Sequence, residues 1–183
     1  MKLQLADALS ILSRTPAALD AMLRGLPEPW LHANEGSETW SPFDVVGHLI
    51  HGERTDWVGR LRMILEHGDS RPFEPFDRFA MFEESRGKTI AELLETFATL
   101  RSQNLETVRA LELEPADFER RGMHPALGPV TLGQLLATWV THDMTHMAQI
   151  SRVIAKQYQD EVGAWRQYIG VLNREAADEG LQQ

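Results

Sequence analysis

Residues 131–158 read TLGQLLATWVTHDMTHMAQISRVIAKQY. At roughly 100° per residue, Leu132, Leu135, Leu136, Trp139, Ile150, Val153 and Ile154 share one stripe, and Thr138, Thr141, Thr145 and Ala148 take the opposite side. The spacing predicts one long helix with its apolar side turned inward. Two histidines, His142 and His146, fall within that stripe, and Asp143 falls near its middle. Each must find a partner inside the protein, because an unpaired polar or charged group in an apolar interior costs several kcal/mol.

The same periodicity extends through the rest of the chain. Helices are expected at 3–25, with Pro16 a possible kink, at 42–67 and at 89–112, beside 131–158. Ser41-Pro42 with Asp44 marks a helix start, and Thr89 with Glu92 reads as a capping box. The stretches 69–87 and 115–129 read as long loops, the first with a short helix near 79–84, and a tail helix is expected over 162–176. No strand pattern competes. Four long amphipathic helices with two long connections predict an all-α fold. The expected architecture is a four-helix bundle with long crossover loops and a short C-terminal helix, in a single domain, 1–183.

Composition narrows the chemistry. The 183 residues include no cysteine, which removes disulfides, thiolate catalysis and Cys-ligated metals together. The net charge of −9 gives no general attraction to phosphate backbones or anionic lipid, so no nucleic acid and no membrane partner are expected. No apolar run is long enough to span a bilayer, and Asp7 and Arg14 interrupt the opening segment where a signal peptide would be apolar. A cytoplasmic protein is the expectation.

Any metal must then be held by His, Asp or Glu. Imidazoles four apart on a helix can reach one ion. The competing reading is a pair of hydrogen-bonded core histidines beside a buried acid. The pentad His142-Asp143-Met144-Thr145-His146 also resembles the HExxH of zinc proteases, but Asp143 is one methylene short of the Glu that serves as base there. Glu161 or Glu175 would have to supply a downstream ligand from the tail. Candidates for a third imidazole are His32, His48, His51, His67 and His124. His32 and His67 stand at loop or helix ends and read as solvated. His48 lies off the main stripe of its helix, among Asp44, Gly52, Thr55 and Gly59, with His51 flanking. Gly47, Gly52 and Gly59 in that helix suggest close approach by another element. Helical spacing does not select His48.

The order of motifs does. Trp40-Ser41-Pro42-Phe43-Asp44-Val45-Val46-Gly47-His48-Leu49 resembles the start of the second helix in the DinB/YfiT-like family. His124-Pro125, then Gly128-Pro129-Val130-Thr131-Leu132-Gly133-Gln134-Leu135-Leu136, leads into His142, His146 and Ala148-Gln149-Ile150, which resembles the family's last bundle helix. The resemblance implies a divalent metal, zinc or nickel most often, held by His48, His142 and His146. It also implies a homodimer, and activities that include transferase or isomerase chemistry with low-molecular-weight thiols as well as hydrolysis. The family assigns nothing to Asp143, His51, Glu53 or His124. Asp143 is expected to hydrogen-bond a buried donor such as a ligand imidazole, with a role as base the weaker alternative.

Three functions follow as rivals. The first is a metal-dependent enzyme on a small-molecule substrate, either a thiol-dependent S-transferase or isomerase or a hydrolase. The second is a metal- or small-ligand-binding bundle without turnover. The third is a structural bundle. An open metal position walled by Trp57 or Trp139 favours the first; a fourth protein ligand from His51, Asp143 or Glu53 favours the second.

Overall fold

The computed structural model describes residues 2–173. The four bundle positions are filled as expected, but two of the four helices are broken. The first is divided into α1 (Leu5–Leu12) and α2 (Thr15–Leu23). Pro16 has no N–H and is tolerated only in a helix's first turn, so the chain restarts a helix there instead of running through. After a single turn, α3 (Glu28–Leu31), the second bundle helix is divided into α4 (Pro42–Thr55) and α5 (Trp57–His67) at Asp56, whose φ of −107° and ψ of −75° depart from helical values. Gly68, at φ 59°, ends α5 in a conformation that favours glycine. The expected short helix in the following loop is α6 (Ala80–Ser85), and α7 (Ile90–Ala110) and α8 (Leu132–Lys156) complete the bundle.

Local chemistry sets the starts of these helices. Ser41 Oγ accepts from Asp44 N at 3.2 Å while the Asp44 carboxylate accepts from Ser41 N at 3.0 Å. Thr89 with Glu92, and Thr131 with Gln134, close the same reciprocal box. Helix α7 packs on α2 and α4, and α8 packs on α1, α4 and α5.

Two further expectations are corrected. The 115–129 connection is not wholly irregular: β1 (Arg121–His124) pairs antiparallel with β2 (Gly128–Thr131), with Arg121 opposite Thr131. Strands of four residues are too short to show alternation. Their pairing depends on the turn at Gly128, which has φ 75°, and on a tertiary fit, since a Cβ at Gly122 would lie 2.6 Å from Ile64. The tail expected as a helix over 162–176 is two 3-10 segments, Gly163–Tyr168 and Gly170–Asn173, and 174–176 lies outside the described residues.

The apolar interior forms two clusters stacked along the bundle. One gathers Leu19, Leu23, Val45, Leu49, Phe97 and Ile150. The other gathers Leu12, Trp57, Leu61, Leu132, Leu136 and Trp139. At the seam each of the four bundle positions carries a polar residue. Thr15 lies between Leu12 and Leu19, Glu53 between Ile50 and Trp57, Arg101 between Phe97 and Leu105, and Asp143 between Trp139 and Ile150.

Candidate metal centre

Helix α4 contributes His48, and α8 contributes His142 and His146 one turn apart. Their Nε2 atoms converge: His48 to His142 is 3.0 Å and His146 to His142 is 3.1 Å. Ligand nitrogens at 2.0–2.1 Å in a tetrahedron around zinc stand roughly 3.3 Å apart, so small movements would seat an ion at the centre. His146 Nδ1–H donates to Gln149 Oε1 at 2.8 Å, which leaves its Nε2 lone pair free for the shared point. The Nδ1 atoms of His48 and His142 are buried and have no hydrogen-bond partner among the described residues.

The protonation states agree. Burial is the largest cause in all three cases. It pushes His48 from 6.5 down to about 3, helped by the neighbouring His146 and His51. His142 is held well below its ordinary value by burial and then by the other two imidazoles. His146 is lowered by burial, against the opposing pull of Gln149 and Asp143. Three neutral imidazoles can therefore each offer an Nε2 lone pair to one point, provided that His48 and His142 carry their hydrogens on Nδ1. As core histidines they cannot all be satisfied, because one Nε2–H on His142 serves only one of its two neighbours. A divalent cation satisfies all three at once, and the donor set suits one.

The helical wheel of α4 misplaced His48 for a physical reason. Val45, Val46, Gly47, His48, Leu49, Ile50, His51, Gly52 and Glu53 are all buried, so this helix has no solvent face to define a stripe. The glycines explain part of that. A Cβ on Gly47 would stand 2.5 Å from Ser85 Oγ of α6, and one on Gly52 would stand 3.2 Å from Trp57 Nε1. At Gly59 nothing approaches within 4 Å, so the close-approach reading fails there.

The triad lines a cavity of about 960 Å³ whose apolar wall includes Trp40, Trp57, Phe73, Phe76 and Leu127. Trp40 lies 4.7 Å from the His48 ring, and Trp57 meets His142 edge-on at 5.0 Å. Trp139 is not a wall residue; it stacks behind Trp57 at 5.6 Å.

The family follows from a comparison over most of the chain. The sequence pattern of the DinB superfamily matches residues 11–150. The chain belongs to the DinB superfamily. Among solved structures, this DinB-superfamily chain is similar to YfiT from Bacillus subtilis, a probable metal-dependent hydrolase with an unusual four-helix bundle topology. The identity is 22%, the TM-score is 0.73, and the match covers 84% of this chain and 87% of that one. At that identity the likeness establishes the bundle. No curated protein matches. No helix among the described residues is long and apolar enough to cross a membrane.

The other candidates fall elsewhere. Asp143 does bond buried donors, but they are Arg101 and the Thr15 hydroxyl (2.6 Å), not an imidazole. That corrects its expected place beside a ligand or as a base. Glu53 binds Arg101, Asn104 and Trp139 Nε1. His51 Nδ1 donates to Glu84 Oε1 at 2.9 Å. His32 pairs with Glu28 at the surface, and His67 is partly exposed at the end of α5. Glu161 lies in the turn after α8, and Glu175 lies outside the described residues. Sequence reasoning missed Arg101, which is 1% exposed. Its signal was present: it stands seven residues from both Leu94 and Val108, in the apolar stripe of α7.

Proposed function

We propose that this DinB-superfamily chain is a metal-dependent enzyme that hydrolyses a small, mainly apolar molecule. His48, His142 and His146 would hold the ion, zinc or nickel being suited to three imidazoles. The observation that carries the reading is the convergence of three neutral Nε2 atoms at the wall of a roomy, aromatic-lined cavity. A divalent ion with an open position polarises a substrate oxygen or activates water at neutral pH. The chain's own residues do the rest. Gln149 orients His146, the burial of the imidazoles keeps them deprotonated, and Trp40 and Trp57 exclude bulk water from the ligand side. The hydrolase name of YfiT supports this choice by fold.

A thiol-dependent transferase is the second reading. The cavity, at about 960 Å³, lies at the upper end of ordinary ligand sites and has room for a low-molecular-weight thiol beside a substrate. Since the chain has no cysteine, that sulfur must come from a cosubstrate.

The test is elemental analysis of the purified protein and of His142→Ala, followed by assay of both on aryl esters and amides. Stoichiometric metal and metal-dependent hydrolysis by wild type, both lost in the variant, are expected. Metal without hydrolysis, but with thiol-dependent conjugation of an electrophile, moves the assignment to the transferase. A wild type that takes up no divalent metal removes both enzymes.

A further inference from the structure

His124, at the end of β1, lines the same cavity as the triad but comes from a different element. Its ring is fixed by its own turn. The N–H groups of Ala126 and Leu127 both donate to Nδ1, each at 3.2 Å. An Nδ1 that accepts two N–H donors carries no hydrogen, so the neutral ring carries its hydrogen on Nε2. Protonation would set a hydrogen on Nδ1 against both backbone donors. Burial and the nearby Arg60 guanidinium oppose it as well. Pro125 restricts the His124 backbone to extended geometry, and Phe73 meets the ring edge-on at 6.3 Å. Backbone, ring and tautomer are all set before any ligand arrives.

None of the described residues accepts from the Nε2–H. The cavity lining is mostly apolar, and of the cations on it Arg60 is paired with Asp56 and Arg152 with Glu35. A rigid, uncharged donor in that setting suits an uncharged acceptor, because a neutral oxygen gives up less hydration than a carboxylate on entering such a site. Leu127, exposed at the hairpin tip, adds an apolar contact next to it. We propose that His124 is a substrate-binding residue, donating its Nε2–H to a carbonyl oxygen of an aryl-sized ligand in the cavity. This rests on the cavity being the substrate site of the proposed enzyme. It names the substrate class as an apolar carbonyl compound, such as an ester, amide or ketone.

The competing role is structural: His124 would only cap its own turn. Two substitutions separate the roles. Asn in His124→Asn can accept the turn's N–H groups through its side-chain oxygen, and its amide falls short of the ring's reach. Asp in His124→Asp accepts them too and has no donor. The probes are acetophenone and ethylbenzene, which match in shape and differ at the carbonyl, titrated into metal-free protein labelled with ¹⁵N-histidine. In wild type, acetophenone is expected to shift the His124 Nε2 resonance. In both variants acetophenone should bind about five- to tenfold more weakly, with ethylbenzene unchanged. An unmoved His124 resonance in wild type, or variants that keep the wild-type ratio of the two affinities, overturns the proposal. Because the wild-type resonance reads the contact directly, the result stands even where a variant fails to fold. Metal is absent throughout, so a wild type that binds no ion removes the enzyme assignment and leaves this measurement interpretable.

Discussion

Two polar clusters share the interior of this bundle, and they differ in completeness. At the seam, Arg101 spreads its guanidinium over two carboxylates. Its Nη2 donates to Glu53 Oε1 at 2.8 Å and to Asp143 Oδ1 at 2.9 Å, and its Nη1 donates to Asp143 Oδ2 at 2.6 Å and to the Leu12 carbonyl at 2.9 Å. Asn104 donates to the one remaining oxygen, Glu53 Oε2, while Trp139 Nε1 and the Thr15 hydroxyl add donors to Glu53 Oε1 and Asp143 Oδ2. The histidine cluster, on the two helices that carry those carboxylates, leaves two buried ring nitrogens without partners among the described residues and turns three Nε2 atoms toward one point. A closed cluster fixes structure, whereas an open one is made to receive a ligand. Adjacent residues of α8 illustrate the difference, because Asp143 belongs to the closed cluster and His142 to the open one.

The contrast can be broken most forcefully at Arg101. Replacing it in Arg101→Met strands two buried carboxylates and should cost about 3–5 kcal/mol in denaturant unfolding. A variant as stable as wild type would mean that the seam is not held by this ion network. At the open cluster the opposite pattern is expected. His142→Ala should abolish metal retention, read by elemental analysis, while the metal-free variant unfolds at or above the wild-type midpoint, since a buried group with an unpartnered nitrogen has gone. A large loss of metal-free stability would make the histidines structural.

Acid provides a third measurement. His48 sits at about 3 in the folded protein against an ordinary 6.5. Between those values the native state binds fewer protons than the unfolded chain, so the stability it confers is full above 6.5 and drains away as pH falls towards 3. Unfolding of the metal-free protein should become easier as pH drops through that window. In His48→Phe the slope should lessen by about 1.4 kcal/mol per pH unit. Identical slopes would mean that His48 is not held neutral. The smallest effect is expected at the rim. Gln149→Leu removes the acceptor that orients His146 and should weaken metal affinity by about 10–100-fold without displacing the other two imidazoles, as titration with cobalt would show.

Local signals were legible in the sequence and non-local ones were not. The starts at Ser41 and Thr89 rest on partners three residues further on, and the structure contains both; Thr131, read only as a helix start, closes a third such box with Gln134. The inward placement of His142, Asp143 and His146 followed from α8 having one wet side, which made its stripe readable. The same logic failed for His48 because α4 is enclosed all round; only the ordered resemblance to a family pointed to it. Which partner a buried group finds is set by other helices. Asp143 was correctly read as needing a donor, but Arg101 lies 42 residues away. The β1–β2 hairpin escaped for the same reason, since its support comes from Ile64 and Phe73 in other segments.

The enclosure of α4 also bears on how the chain can diverge. A helix with one wet side lets roughly half of its positions drift, and a scan of all substitutions along it shows a permissive beat every three or four residues. Along 45–53 there is no such beat to find. A glycine here cannot gain a methyl without meeting Ser85 or Trp57, and the polar positions are bonded to other elements or face the cavity. Tolerance should therefore be uniformly low through this segment, so adaptation to new substrates would be concentrated in the β1–β2 hairpin and the 69–79 stretch, which contribute cavity lining with far fewer buried neighbours.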